Sequence, residues 1–192
     1  MQKDRDYIRA YPLSAKPDTW ALNAPYLEII QDKKSMVGVN THSTNKIVKH
    51  GLQNNLIQEF KDIMTIEPEI RFGLNTRFDF LISFKKSKAF VEVKNVTLSR
   101  KKKVAEFPDA ITSRGLKHIN ELMKASKKGY KIFILYLIQR NDCNLFTIAK
   151  DIDTQYAKAL SKAVKNNLKI LCYDCKFSSK GIKMNNKINF KL

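Results

Sequence analysis

Cysteine is scarce in this chain, and long apolar runs are missing altogether. Three of 192 residues are cysteine, as expected in a reducing compartment where disulfides are rare. Cys172-Tyr173-Asp174-Cys175 has the CxxC spacing, but no second CxxC or histidine pair exists to complete four zinc ligands. The segment from Leu168 to Phe177 reads as a strand, and residues three apart on a strand face opposite ways. These cysteines are therefore expected to be structural. No apolar run approaches the roughly 18 residues of a membrane span, so no membrane partner is expected. The start, Met1 to Asp6, has no apolar stretch behind it of the kind a secretory signal needs, and the cytoplasm is the expected location. Internal repeats and low-complexity segments are lacking too. So is a helix-turn-helix with a clear recognition helix, which argues against base-specific regulation.

What the chain does have is positive charge. Its formal net charge is +18 and 43% of its residues are hydrophobic, so it can bury a core and still attract a polyanion, of which nucleic acid is the commonest. The total alone is weak evidence. Of the 36 basic residues 29 are lysine, and lysines scattered over solvated helix faces would give the same sum. Distribution says more. Lys85, Lys86 and Lys88 crowd one predicted turn, and Arg100, Lys101, Lys102 and Lys103 form a run in a predicted loop. Both clusters are expected to flank the site described next.

Arg77-Phe78-Asp79-Phe80 and Val91-Glu92-Val93-Lys94 both alternate, so each reads as a strand at period two. A turn centred on Lys85 and Lys86 sets Asp79 across from Glu92. One face then carries Phe78, Phe80, Ile82, Ala89, Val91 and Val93; the other carries Arg77, Asp79, Glu92 and Lys94. Two carboxylates facing each other across a ladder repel, and a divalent cation between them resolves the conflict. Lys94 lies on the same face, in reach of a water or a phosphate oxygen.

Along the chain, Pro12, Pro17 and Pro25 break the first 35 residues, with strands expected over 26–30 and 36–39. A helix capped by Thr44 or Asn45 is expected to run to about Phe60, followed by a strand over 66–72. A second helix, capped by Thr112 or Ser113, runs to Lys128 and stops at Gly129. The apolar run from Tyr130 to Gln139 reads as a central strand buried on both faces. A third helix, capped by Asp153 or Thr154, extends to about Asn166; the strand from Leu168 follows, with a short edge strand at 181–184. The fold class is α/β, a mixed β-sheet flanked by helices.

Asp followed by Glu-x-Lys on adjoining strands resembles the core of the PD-(D/E)xK nucleases, the restriction-endonuclease-like fold. The resemblance implies metal-assisted phosphodiester hydrolysis, with Asp79 and Glu92 ligating Mg²⁺ (or Mn²⁺) and Lys94 orienting water or stabilising transition-state charge. A narrower likeness follows. Gly38-Val39-Asn40-Thr41-His42 with Asn45, Arg77-Phe78-Asp79-Phe80, the run from Val91 to Leu98 and Phe107-Pro108-Asp109-Ala110 resemble the sugar fermentation stimulation protein family. Arg114-Gly115, Lys117-His118, Glu121-Leu122-Met123, Ile152-Asp153 and Tyr156-Ala157 continue that pattern in order, from about residue 37 to the end. The family is similar to PD-(D/E)xK nucleases in its larger domain, and is associated with DNA binding and bacterial sugar utilisation.

The resemblance implies two parts: residues 1–36, the remnant of an N-terminal OB-like barrel, and 37–192, the nuclease-like domain. The Pro-Asn-x-Gly-Arg motif of the family's barrel is absent. The implied catalytic set is Asp79, Glu92 and Lys94. Nucleic-acid contacts are expected from Arg77, Lys85, Lys86, Lys101, Lys102, Lys103, Arg114, Lys117 and His118. Glu69, Asp109 and Gln139 are accessory candidates, while Asn40 and Asn45 are expected to fix the loop and the helix start. The expected partner is nucleic acid, DNA foremost, with a homodimer compatible. The alternative function is a DNA-binding regulator of sugar (maltose) metabolism genes that does not cut; an RNA-directed role is a third reading.

Overall fold

The computed structural model describes residues 6–10, 27–32, 35–178 and 181–192. The expected breaks at Pro12, Pro17 and Pro25 lie outside them. Elements in chain order are β1 (Asp6–Ala10), β2 (Leu27–Asp32), β3 (Ser35–Gly38), α1 (Thr44–Gln53), β4 (Thr65–Phe72), β5 (Thr76–Phe84), β6 (Ser87–Val96), β7 (Leu98–Lys101) and β8 (Val104–Phe107). Then come α2 (Ser113–Lys127), β9 (Lys131–Ile138), β10 (Leu145–Ile148), α3 (Thr154–Lys165), β11 (Lys169–Ser178), β12 (Gly181–Lys187) and β13 (Asn189–Lys191).

Six strands form the central sheet in the order β12-β11-β9-β6-β5-β4. The middle is parallel, β6 to β9 to β11, and both flanks are antiparallel. The mixed sheet flanked by helices is thus as the sequence implies. Apolar residues on β9 alternate between two cores. Ile132, Ile134, Tyr136 and Ile138 face Ile119, Leu122 and Leu160 of α2 and α3. Phe133, Leu135 and Leu137 face Ile47, Val48 and Leu52 of α1. A strand apolar at every position is what burial on both faces demands.

The starts of α2 and α3 follow side-chain capping, whereas α1, expected to be capped by Thr44 or Asn45, begins at Thr44 after Ser43, which makes no side-chain cap hydrogen bond. Thr112 accepts the Gly115 N–H at 3.0 Å, and Asp153 accepts the Tyr156 N–H at 2.9 Å; each satisfies an orphan donor of the first turn. At the far end of α2, Gly129 takes φ +87°, a left-handed conformation that glycine adopts without steric cost. Cys172 and Cys175 fall in opposite cores and are free.

Three expectations need correction. First, α1 ends at Gln53 rather than near Phe60. Ile57 and Phe60 still reach the core, each 1% exposed, but from irregular chain, so their burial does not require the helix to continue. Second, the basic run 100–103, expected in a loop, lies in a hairpin: β7 and β8 join β10 and β13 in a second, four-stranded sheet ordered β13-β10-β8-β7. Third, the β5–β6 hairpin does not keep a single apolar face. Its ladder runs from Phe84–Ser87 to Phe80–Val91 around the expected turn. Beyond that the strand bends: Phe80 and Ile82 enter the α1-side core while Phe78 joins Phe72 and Phe90 on the other side. In the neighbouring strand Glu69 takes φ +52° and drops out of the pairing between Pro68–Phe80 and Ile70–Phe78.

The strands β1, β2 and β3 pair in a three-stranded antiparallel sheet. Its last strand is tied to the loop after β9: the Gly38 N–H donates to the Gln139 carbonyl at 2.9 Å, and the Met36 N–H to Asn141 Oδ1 at 2.8 Å.

Candidate active site

The bend in β5 builds the site. Where the ladder stops, the Asp79 side chain takes over: its Oδ2 accepts the Val93 N–H of β6 at 2.7 Å, and its Oδ1 accepts Asn45 Nδ2 of α1 at 2.7 Å. Asp79 thus sits at the seam between the two hairpin strands and the start of α1. Burial, then repulsion from Glu92, push its carboxyl up to about 6, against the Val93 and Asn45 hydrogen bonds.

Glu92 is more deeply set, its side chain 3% exposed. Its Oε1 accepts Lys94 Nζ at 2.8 Å and also contacts His118 Nδ1 from α2. Its Oε2 is buried with no hydrogen-bond partner. Burial opposes ionisation here, but the His118 hydrogen bond and the Lys94 charge outweigh it and hold the carboxyl below its ordinary range. The pair is therefore asymmetric: Glu92 keeps its charge while Asp79 is the one pushed towards neutrality.

A buried carboxylate oxygen with nothing to accept costs free energy. The donor set around it, two carboxylates with hard oxygen ligands, suits Mg²⁺ or Mn²⁺, which take one or two carboxylates and fill the remaining positions with water and substrate oxygens. Among the described residues no three His, Cys, Asp or Glu side chains converge into a closed cage, so a cation here would keep open positions.

The structure brings together Asp79, Glu92, Lys94 and His118 and separates most other candidates from them. Glu69 pairs with Arg77 at 2.9 Å, both side chains more than half exposed, so neither joins the carboxylates. Lys85 and Lys86 cap the far end of the hairpin, about 17 Å of strand from Asp79, and do not flank the site. The reason is plain geometry, since a hairpin's turn and the far ends of its strands are opposite extremes. In the basic run, Arg100 is taken up by Glu106 and Asp151; Lys101, Lys102 and Lys103 lie exposed at the β7–β8 turn. Arg114 and Lys117 lie exposed on α2, on turns next to His118, and Asp109 is exposed in the preceding loop. Gln139 is fully buried and works within the protein, its Nε2 donating to Thr44 Oγ1 at 3.0 Å and Asn95 Oδ1 at 2.7 Å. Asn40 caps the short turn before α1 through the His42 N–H. Asn45 does more than start a helix. It holds an Asp79 oxygen, a role that its place in the Asn-rich motif left unspecified.

The chain matches the family model "Sugar fermentation stimulation protein RE domain" over residues 42–181. It is 52% identical over 162 residues to a sugar fermentation stimulation protein homolog of Pelagibacter ubique, covering 84% of this chain and 70% of that protein. The chain belongs to the sugar fermentation stimulation protein family. A second homolog, from Bartonella tribocorum, is 39% identical over 88% of this chain and 72% of its own length. Among solved structures, SfsA of Pyrococcus furiosus in complex with Ca²⁺ superposes with a TM-score of 0.83 over 98% of this chain and 78% of that one, at 23% identity. That likeness is one of fold. No described helix is long and apolar enough to cross a membrane.

Proposed function

We propose that this member of the sugar fermentation stimulation protein family is a metal-dependent phosphodiesterase acting on nucleic acid, DNA foremost, on a PD-(D/E)xK scaffold. The observation that carries the reading is the orphaned Oε2 of Glu92, beside a second carboxylate and a lysine on the same hairpin. Asp79 and Glu92 are the residues that would hold Mg²⁺ or Mn²⁺. Bound there, the ion would polarise a phosphodiester and acidify its water.

The chain's own residues have separable tasks. His118 and Lys94 both occupy Glu92 Oε1, which leaves Oε2 as the oxygen free to take a cation. Asn45 and the Val93 N–H fix Asp79 from two directions. The Lys94 ammonium, only 13% exposed, brings a fixed positive charge to where negative charge grows in phosphoryl displacement, and a preorganised charge in a water-poor site acts most strongly. The Ca²⁺ named with the Pyrococcus relative is an oxygen-seeking divalent cation of the same class, in keeping with this reading. The β1-β2-β3 sheet is read as OB-like, ahead of the nuclease-like domain.

The test is cleavage of linear and circular, single- and double-stranded DNA by wild type, Glu92→Ala and Lys94→Ala, with Mg²⁺, Mn²⁺ or EDTA. Metal-dependent cutting by the wild type that both variants lose is the expected result. Binding at low salt without cutting under any metal would overturn the enzymatic reading in favour of a DNA-binding regulator.

A further inference from the structure

Two large aliphatic side chains near α2 stand out in solvent. Leu74 is 100% exposed at the tip of the turn between β4 and β5, and Ile111 is 81% exposed just before the Thr112 cap. Single exposed aliphatic residues are ordinary, and Met64, at 68%, is one with no such setting. The setting is what distinguishes Leu74. Its turn is held to α2, because Lys117 Nζ donates to the Asn75 carbonyl at 2.7 Å. Gly73 makes the turn possible with φ +65°. The concave surface beside the turn is lined by Lys117, Lys124 and Lys128 along α2. One acidic side chain, Glu121, also lines it, and Lys124 pairs with it at 2.7 Å. The charge beside Leu74 is therefore net positive.

The same helix carries His118 on its buried side, against Glu92, and Leu74 lies five residues before Asp79, in the turn that leads into β5. An apolar tip beside a lysine-lined groove is the arrangement with which proteins unstack a base step: cations hold the backbone while an aliphatic wedge enters between bases. A purely apolar partner would leave the groove's net positive charge unanswered, and a purely electrostatic one has no use for Leu74. We infer that Leu74 is a wedge that enters the base stack of nucleic acid held along the lysine-lined side of α2 and unstacks it there. The inference rests on the nucleic-acid reading above but not on cleavage.

The experiment uses the full chain in EDTA, so that cutting is not needed, with a short DNA duplex carrying 2-aminopurine at successive positions. Unstacking of 2-aminopurine raises its fluorescence. Wild type should raise it on binding, and Leu74→Met should keep the rise. Leu74→Ala, at a fully exposed site that the fold does not depend on, should lose most of it. Its duplex affinity should fall roughly tenfold, the lower end of what burying a leucine side chain is worth. Equal fluorescence gains for wild type and Leu74→Ala would overturn the wedge while leaving the nuclease reading intact. Leu74-dependent unstacking by a protein that cuts nothing would sustain the wedge and sink the nuclease. Leu74-dependent sedimentation with anionic lipid vesicles, without any fluorescence change on DNA, would overturn it in favour of a lipid surface.

Discussion

Glu92 on β6 and Glu106 on β8 are both buried glutamates, 2% and 4% exposed, yet their surroundings differ in kind. Glu106 is fully answered: Arg100 reaches both of its oxygens through side chain and backbone at 2.9–3.1 Å and links onward to Asp151. Asp153 is the same kind of residue, one oxygen capping α3 and the other accepting the Thr112 N–H at 2.9 Å. Glu92 has two cationic or hydrogen-bonding side chains crowded onto one oxygen and none on the other. Burying a carboxylate is tolerable when its lone pairs are used. An oxygen left without any partner in so deeply buried a carboxylate therefore marks Glu92, and not Glu106, as an acid kept for a ligand.

The sharpest way to break this comparison is to neutralise each glutamate without changing its shape. Glu92→Gln should cost about a thousandfold in metal-dependent cleavage, as loss of several kcal/mol of charge stabilisation requires, while the chain stays folded by circular dichroism. A variant that cuts as well as wild type would place the metal elsewhere. Next in size is Asn45→Ala, which removes one of the two hydrogen bonds on Asp79. Partners that orient a ligand are worth roughly 10–100-fold in metal affinity or activity. Titration calorimetry with Mn²⁺ separates weakened metal binding from a fold defect. Glu106→Gln should do the reverse of Glu92→Gln: about 1–2 kcal/mol of stability lost, because Arg100 is partly solvated and keeps Asp151, with cleavage untouched. If Glu106→Gln were inactive but stable, the distinction drawn here between the two acids would fail.

The sequence made some of this legible and hid the rest for physical reasons. Period-two alternation located β5 and β6, and the Lys85-Lys86 turn fixed their register, so Glu92 and Lys94 could be placed on one face. Thr112, Asp153 and Gly129 announced their helix ends because capping is local chemistry. The bend at Asp79 was invisible, since it comes from Val93 and Asn45 capturing a side chain, a tertiary event that no strand pattern encodes. The second sheet was missed because its strands are three or four residues long and make little sense outside their pairing. The basic residues misled in another way. Charge clusters along the chain do not reveal which end of a hairpin they occupy, and Lys85 and Lys86 occupy the wrong one. Arg100, counted among them, is consumed internally.

The smallest effect concerns the join between the three-stranded sheet and the central one. Arg140 donates to Asp142 through two nitrogens, at 2.9 and 2.8 Å, and to the Thr97 carbonyl at 2.9 Å, and it bridges Val37 of β3. Burial would raise the Asp142 carboxyl, but hydrogen bonds from Arg140 and Ser35 outweigh it and hold it at about 2, below its ordinary value of 3.8. A depressed folded-state value means the ionised acid favours the folded chain. That contribution is fully present above about pH 4 and disappears as pH falls through about 2. Asp142→Asn should therefore melt slightly below wild type at neutral pH, with the gap closing on acidification; the difference between the two proteins is the readout, because other carboxylates titrate in both. Ser35 and Val37 belong to the strand that Arg140 and Asp142 hold, so the same substitution should speed amide exchange in β3 more than in β9. Uniform exchange across both strands would mean that the three-stranded sheet docks through Met36 and Gly38 alone, and that the ion pair is only a surface contact.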